Sequence, residues 1–224
     1  MQVDTERLPG WVEGFGSRHG DAGAFVTSSG FALAGADGAT AEVELPFLPW
    51  VAPEATPTAA LDLAAAALTH IRLERTLLAL LVRRGGYGVG VLRVGAGTDD
   101  VVASKVGGAY VQGRTAAGGW SQHRFARRRD NQVADLVGRV TEVAVRLLLP
   151  ALAQEPTAAP AWLVTGGDAP LVDRALTDPR LAPLSRLPRR ARLTVHDPRA
   201  AVVAPVGHDL RRLRIGLVDR VPGP

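Results

Sequence analysis

TLLALLVR (76–83), GYGVGVLRV (86–94) and DVVASKV (100–106) are three runs of strand length and strand composition. Short glycine-containing turns join them, so an antiparallel meander is the simplest arrangement. The third run is expected to continue to Gln112, and from about Gln122 the period changes. Val133, Leu136, Val137, Val140, Ala144, Leu147 and Leu148 recur at i, i+3, i+4 and i+7, which predicts an amphipathic helix that Pro150 ends. A meander followed by a helix with one apolar face is the start of an α/β fold.

The flanking sequence extends the same pattern. Leu8 to His19 reads as a short amphipathic helix ended by Gly20. Ala24 to Ala34 and Ala39 to Leu45 read as two strands around an Asp37-Gly38 turn. Pro46 to Pro57 reads as a connector, and Thr58 to His70 as an Ala- and Leu-rich helix. Beyond the connector Gln154 to Pro160, Trp162 to Thr165 reads as a buried strand. Gly166-Gly167-Asp168 follows as a turn in which Asp168 caps a helix to about Leu176. Arg192 to Val195, a short helix at His208 to Arg212 and a strand at Arg214 to Val218 complete a β-α-β-like second half. The expected fold class is α/β: a single domain over 1–224, with a mixed β-sheet and flanking helices.

At 224 residues and 46% hydrophobic, the chain can bury a substantial core. Its net charge is only +4, yet all but one of its 26 basic residues are arginine. Guanidinium groups bind phosphate in a bidentate fashion and stack on bases. The absence of cysteine excludes disulfides, thiolate metal sites and a cysteine nucleophile. The N-terminus carries Asp4 and Glu6 without an apolar core of signal-peptide length, and no apolar run reaches membrane-spanning length. A cytoplasmic protein with no membrane partner is expected.

Charge is concentrated at one place. Between Val101 and Arg129 there is no acidic residue, while Lys105, Arg114, Arg124, Arg127, Arg128 and Arg129 are all positive. Within this span, residues 112–122 form a loop rich in Gly, Ala and Thr that is long for a strand-to-helix connection, and the basic helix 123–149 follows. A polar tip on a cationic stem suits delivery of a side chain into a polyanion, and RNA is the expected one.

The loop sequence GGWSQHRFARRR (118–129) resembles the segment after the Gly-Gly-Gln loop in the central domain of eukaryotic and archaeal class-1 peptide-chain release factors, approximately GGQSxxRFARxR. Gly118, Gly119, Ser121, Arg124, Phe125, Ala126, Arg127 and Arg129 are in register with it. The wider context, YVQGRTAAGGWSQ (110–122), resembles the actinobacterial branch of the VLRF (Vms-like release factor) family, whose members are regarded as peptidyl-tRNA hydrolases of ribosome rescue. The motif covers about 20 residues, and the order of elements extends the likeness loosely over most of the chain. The resemblance implies a fold similar to the release-factor central domain and codon-independent hydrolysis of the peptidyl-tRNA ester by a monomer. Its partners would be peptidyl-tRNA and the rRNA of the large ribosomal subunit, not DNA, and it would need no metal or other cofactor.

One position departs from the pattern. Trp120 stands where the release factors have glutamine, and the nearest glutamines are Gln122 and Gln112. The resemblance therefore assigns catalysis to Gln122 with Gly118 and Gly119, with Gln112 as second choice, and RNA binding to Arg114, Trp120, Arg124, Arg127, Arg128 and Arg129. Trp120 reads equally as a stacking platform or as an anchor for the loop base. A glutamine amide both donates and accepts, so it can position water or hold an oxyanion without titrating. Two other readings stay open: a tRNA 3′-end nuclease, for which His123 is the conceivable base, and a non-catalytic ribosome- or RNA-binding module. Asp99-Asp100, the turn at 85–90, Gly166-Gly167-Asp168 and the cluster of Arg186, Arg189, Arg190 and Arg192 have ordinary structural readings as turns or solvated loops. The scattered histidines show no metal-ligand spacing.

Overall fold

In the segment TAEVE (40–44), Ala41 and Val43 are buried while Thr40, Glu42 and Glu44 are exposed, the alternation of a strand with one covered face. The computed structural model of the chain describes residues 1–20, 23–52, 59–95, 99–108, 121–154, 161–189, 193–195, 203 and 205–218, without the side chains of 121–126. Among them it forms two compact units, Met1–Leu73 with His208–Pro224, and Glu74–Gly207.

The first unit holds an antiparallel sheet of order β1-β9-β4-β3-β2, made of β1 (Gln2–Val3), β2 (Gly23–Thr27), β3 (Gly30–Ala34), β4 (Thr40–Glu44) and β9 (Leu213–Val218). Helices α1 (Leu8–His19) and α2 (Ala60–Ile71) belong to the same unit. Phe15 of α1 and Leu63 and Ile71 of α2 share one core with Phe31, Leu33, Val43, Leu213 and Ile215 of the sheet. Gly20 ends α1 at φ 79°, in the position its sequence predicts.

The second unit holds the mixed sheet, of order β7-β6-β5-β8, with β5 (Arg75–Arg83), β6 (Gly86–Val94), β7 (Asp99–Gly108) and β8 (Trp162–Gly167). The meander β5-β6-β7 is antiparallel as expected, and β8 lies parallel to β5. Every residue from Thr76 to Val82 is buried, as a central strand covered on both faces requires. On one face Leu78, Leu80 and Val82 pack with Leu136, Val140 and Ala144 of the long helix α3 (Ser121–Gln154) and with α4 (Ala169–Leu176). On the other, Val195 and Val203 lie against Gly166 and Gly90. Short helices α5 (Ala182–Ser185) and α6 (Val206–Arg211) complete the described elements.

The α/β class with a mixed sheet and flanking helices is as the sequence predicts, although the strands are divided between two sheets. Four local expectations need correction. Ala24–Ala34 is two strands, because Ser28-Ser29 makes a turn that an otherwise apolar run conceals. Pro150 lies inside α3 instead of ending it. The helical carbonyl it leaves without an N–H partner is that of Arg146, an exposed residue, while Ala151 and Leu152 beyond it pack on the core. Of the run expected as a strand at Arg192–Val195, the described residues 193–195 contribute a single parallel bridge, Leu193 to Gly166, in place of a strand. The β-α-β-like second half is broken because β9 pairs with β1 and β4 in the other sheet. The expected extension of β7 to Gln112 lies outside the described residues.

Candidate functional site

Strands β5 and β8 run parallel, and β5 and β7 are both antiparallel to β6, so the C-terminal ends of β5, β7 and β8 lie on one side of the sheet. Those ends are Arg83, Gly108 and Gly167. Gly86 pairs with both Gly108 and Arg83, and Gly167 pairs with Val82. The three ends thus fall within roughly 15 Å, at about 4.8 Å per strand. Strand β7, which the loop follows in sequence, ends on this side, where ligands of open α/β sheets are commonly held.

The C-terminal end of β7 is fixed by packing. Tyr87 is buried, and its ring lies where a side chain on Gly107 would be, 2.5 Å from an ideal Cβ. The backbone therefore passes over the tyrosine only because residue 107 is glycine.

Beside it, the turn between β8 and α4 is tied to the turn between β5 and β6. Asp168 occupies the N-cap position of α4, as its sequence predicts, but its side chain makes no cap hydrogen bond. Its Oδ2 instead accepts from the Arg84 backbone N–H at 3.1 Å, while its own N–H donates to the Val82 carbonyl at 2.7 Å. Arg83 approaches Asp168 at 4.0 Å and donates to the Val195 carbonyl at 3.1 Å. Exposed Arg84 thereby stands on the same side of the sheet as the end of β7, a cation that sequence reading did not single out. Only the strand register brings it there. Asp168→Ala is expected to cost about 1 kcal/mol in urea unfolding, and Asp168→Asn less, because the amide oxygen still accepts from Arg84.

Helix α3 returns from the loop. Among the described residues its first fully buried side chain is Leu136, roughly 22 Å of helix beyond Ser121. None of the described side chains from Arg127 to Gln132 is buried. Arg127 and Arg128 are exposed and Arg129 half-buried, and among the described residues none of the three has an ion-pair partner. Further along, Arg180 reaches Glu142 of α3 at 2.8 Å and Asp178 at 2.9 Å. Hydrogen bonds from Asp178 first and Glu142 second raise the guanidinium pKa above its usual range. Both contacts are solvent-exposed and contribute little to stability.

The remaining predicted site residues divide by position. Gln122 and Arg124 fall in the first turn of α3, with side chains outside the described residues. Gln112, Arg114, Gly118, Gly119 and Trp120 lie wholly outside them. Among the described residues no group of three His, Cys, Asp or Glu can hold a metal ion, and no helix is long and apolar enough to cross a membrane.

A protein-family comparison matches residues 75–216 to acVLRF1, described as the Actinobacteria/chloroflexi VLRF1 release factor. The match begins at the first residue of β5 and takes in the whole mixed sheet, the loop and α3. No curated protein gives a match to the chain.

Proposed function

Because the chain belongs to the acVLRF1 release-factor family, with a role connected to the ribosome in peptide release or rescue, we propose that it hydrolyses the peptidyl-tRNA ester without reading a codon. Stalled nascent chains would be freed from the ribosome or its large subunit in the cytoplasm, by a monomeric protein of one functional domain. The observation that carries this reading is the family match over the strands that frame the loop, together with GGWSQHRFARRR within it.

The chemistry asked of the loop is modest, since the ester is already activated. One water attacks the carbonyl carbon, and the tetrahedral intermediate expels the 3′-oxygen of the terminal ribose, which takes up a proton. The products are a free peptide acid and intact tRNA. Gln122 positions the water through its amide, and Gly118 and Gly119 let the backbone approach the tRNA end. Gln122 lies in the first turn of α3, where backbone N–H groups lack intrahelical partners and the helix dipole is positive. That end of the helix favours both RNA phosphate and a developing oxyanion. Arg124, Arg127, Arg128 and Arg129 hold the RNA, with Arg114 and Trp120 contacting it from the loop.

Product analysis on purified peptidyl-tRNA–ribosome complexes tests the reading. Free peptide with intact tRNA supports it, peptide on a 3′ RNA fragment supports a nuclease, and no product supports a non-catalytic binder. Replacing Arg127, Arg128 and Arg129 together with alanine is expected to weaken ribosome binding. It should also flatten the salt dependence by roughly 0.7–0.9 in log–log slope for each phosphate that the variant no longer neutralises. Unchanged affinity and slope would remove these arginines from the RNA contact.

A further inference from the structure

The first unit contains a cleft of about 600 Å3 between α1 and β1 that the release-factor reading does not use. This volume lies in the range of small-molecule sites. Arg7, Trp11, Gly14 and Arg18 line it at i, i+4, i+7 and i+11, one face of α1 and the residue preceding it. The Trp11 indole stacks on Phe15, with centroids 5.9 Å apart and 23° between the planes, so its position is fixed. Gly10 and Gly14 flank it. An ideal Cβ at Gly10 meets nothing within 4 Å, and one at Gly14 meets only the Arg18 side chain. The indole thus stands in a groove that two absent side chains keep open.

The charges around it are unbalanced. Elsewhere in the lining, Arg212 and Asp4 form an ion pair at 3.1 Å, which cancels both. Glu6 is the other carboxylate in the lining, set against two guanidinium groups, Arg7 and Arg18, both exposed and without an ion-pair partner among the described residues. A fixed aromatic plane bracketed by two guanidinium groups suits a flat ring bearing an anion. A base stacks on the indole, and a phosphate is held by arginine.

We propose that this cleft binds a nucleoside monophosphate unit, either as a free nucleotide or as the 5′-phosphorylated terminal residue of an RNA strand. Trp11 carries the base, Arg18 and Arg7 the phosphate, and Gly10 and Gly14 the clearance. Nearly all of the lining lies outside residues 75–216, so the proposal stands or falls independently of the hydrolase reading.

Isothermal titration of the full chain with AMP, adenosine and inorganic phosphate tests it. AMP is expected to bind at least tenfold more tightly than either of the others. Arg18→Gln should bring AMP down to the adenosine level while leaving adenosine unchanged. Gly14→Leu should weaken AMP at least tenfold, and since a side chain there displaces only a flexible arginine, the variant should keep its melting temperature. That makes it the safer companion to Trp11→Ala, which also removes packing against the core. A 5′-phosphorylated hexaribonucleotide separates the two sources. Tighter binding than AMP, abolished without the 5′ phosphate, identifies an RNA end, and equal binding identifies the free nucleotide. The proposal is overturned if AMP binds no better than adenosine, or if Gly14→Leu leaves AMP affinity unchanged.

Discussion

Alanine at Gln122 is expected to lower peptide release from peptidyl-tRNA by about 10²–10³-fold, roughly 3–4 kcal/mol in the activation barrier, with ribosome affinity nearly unchanged. The size follows from the role assigned. An amide that orients the attacking water or holds the oxyanion acts in the transition state, so its loss appears in kcat and not in binding. The contrast with the arginines is the useful part, since their replacement should move affinity and salt slope. Gln122→Glu retains the acceptor and the shape but removes the donor, and should rescue little. Gln112→Ala is the necessary partner measurement. If it abolishes release while Gln122→Ala does not, catalysis belongs to the loop's ascending side and the first turn of α3 serves only to bind RNA.

The second large effect is structural. Gly167→Ala is expected to destabilise the second unit by about 3 kcal/mol or more, a drop of roughly 6–12 °C in melting temperature. Gly167 has φ 85°, a region that costs an L-residue about 1–2 kcal/mol, and a Cβ there would collide with the Val82 carbonyl oxygen. That carbonyl accepts the Asp168 N–H, so relieving the collision breaks the tie between the turns after β5 and β8. Gly38→Ala provides the control: at φ 88° with nothing within 4 Å, it should show the conformational cost alone. Equal losses in the two variants would mean that the close approach at Gly167 has no energetic weight.

Local patterns were legible in the sequence where each residue's environment is set by its neighbours in the chain. The strands β5, β6 and β7, helix α1 with its Gly20 terminus, and the buried face of α3 all follow from composition and period. Distant pairing was not legible. Nothing in LRIGLV (213–218) says that it belongs beside Gln2–Val3 and Thr40–Glu44, because a period of two marks a strand without naming its partner. The turn at Ser28-Ser29 was missed for a local reason, since two serines carry a weaker signal than Asp37-Gly38. At the candidate site, charge and motif identified the loop and the basic helix. Asp168 was legible as a helix cap, but Arg84 and the hydrogen bond between them came into view only through the register that brings their turns together.

The position of β9 also sets an order of events during synthesis. The second unit is contiguous from Glu74 to Gly207, so it can complete its sheet as soon as those residues emerge from the exit tunnel. The first unit, although translated earlier, stays open until residues 213–218 arrive to pair with β1 and β4. Until then the edge of β4 is unpaired and exposed to other chains. The N-terminal third of the protein is therefore made first and finished last, and truncation at 212 should leave it insoluble while the second unit still folds.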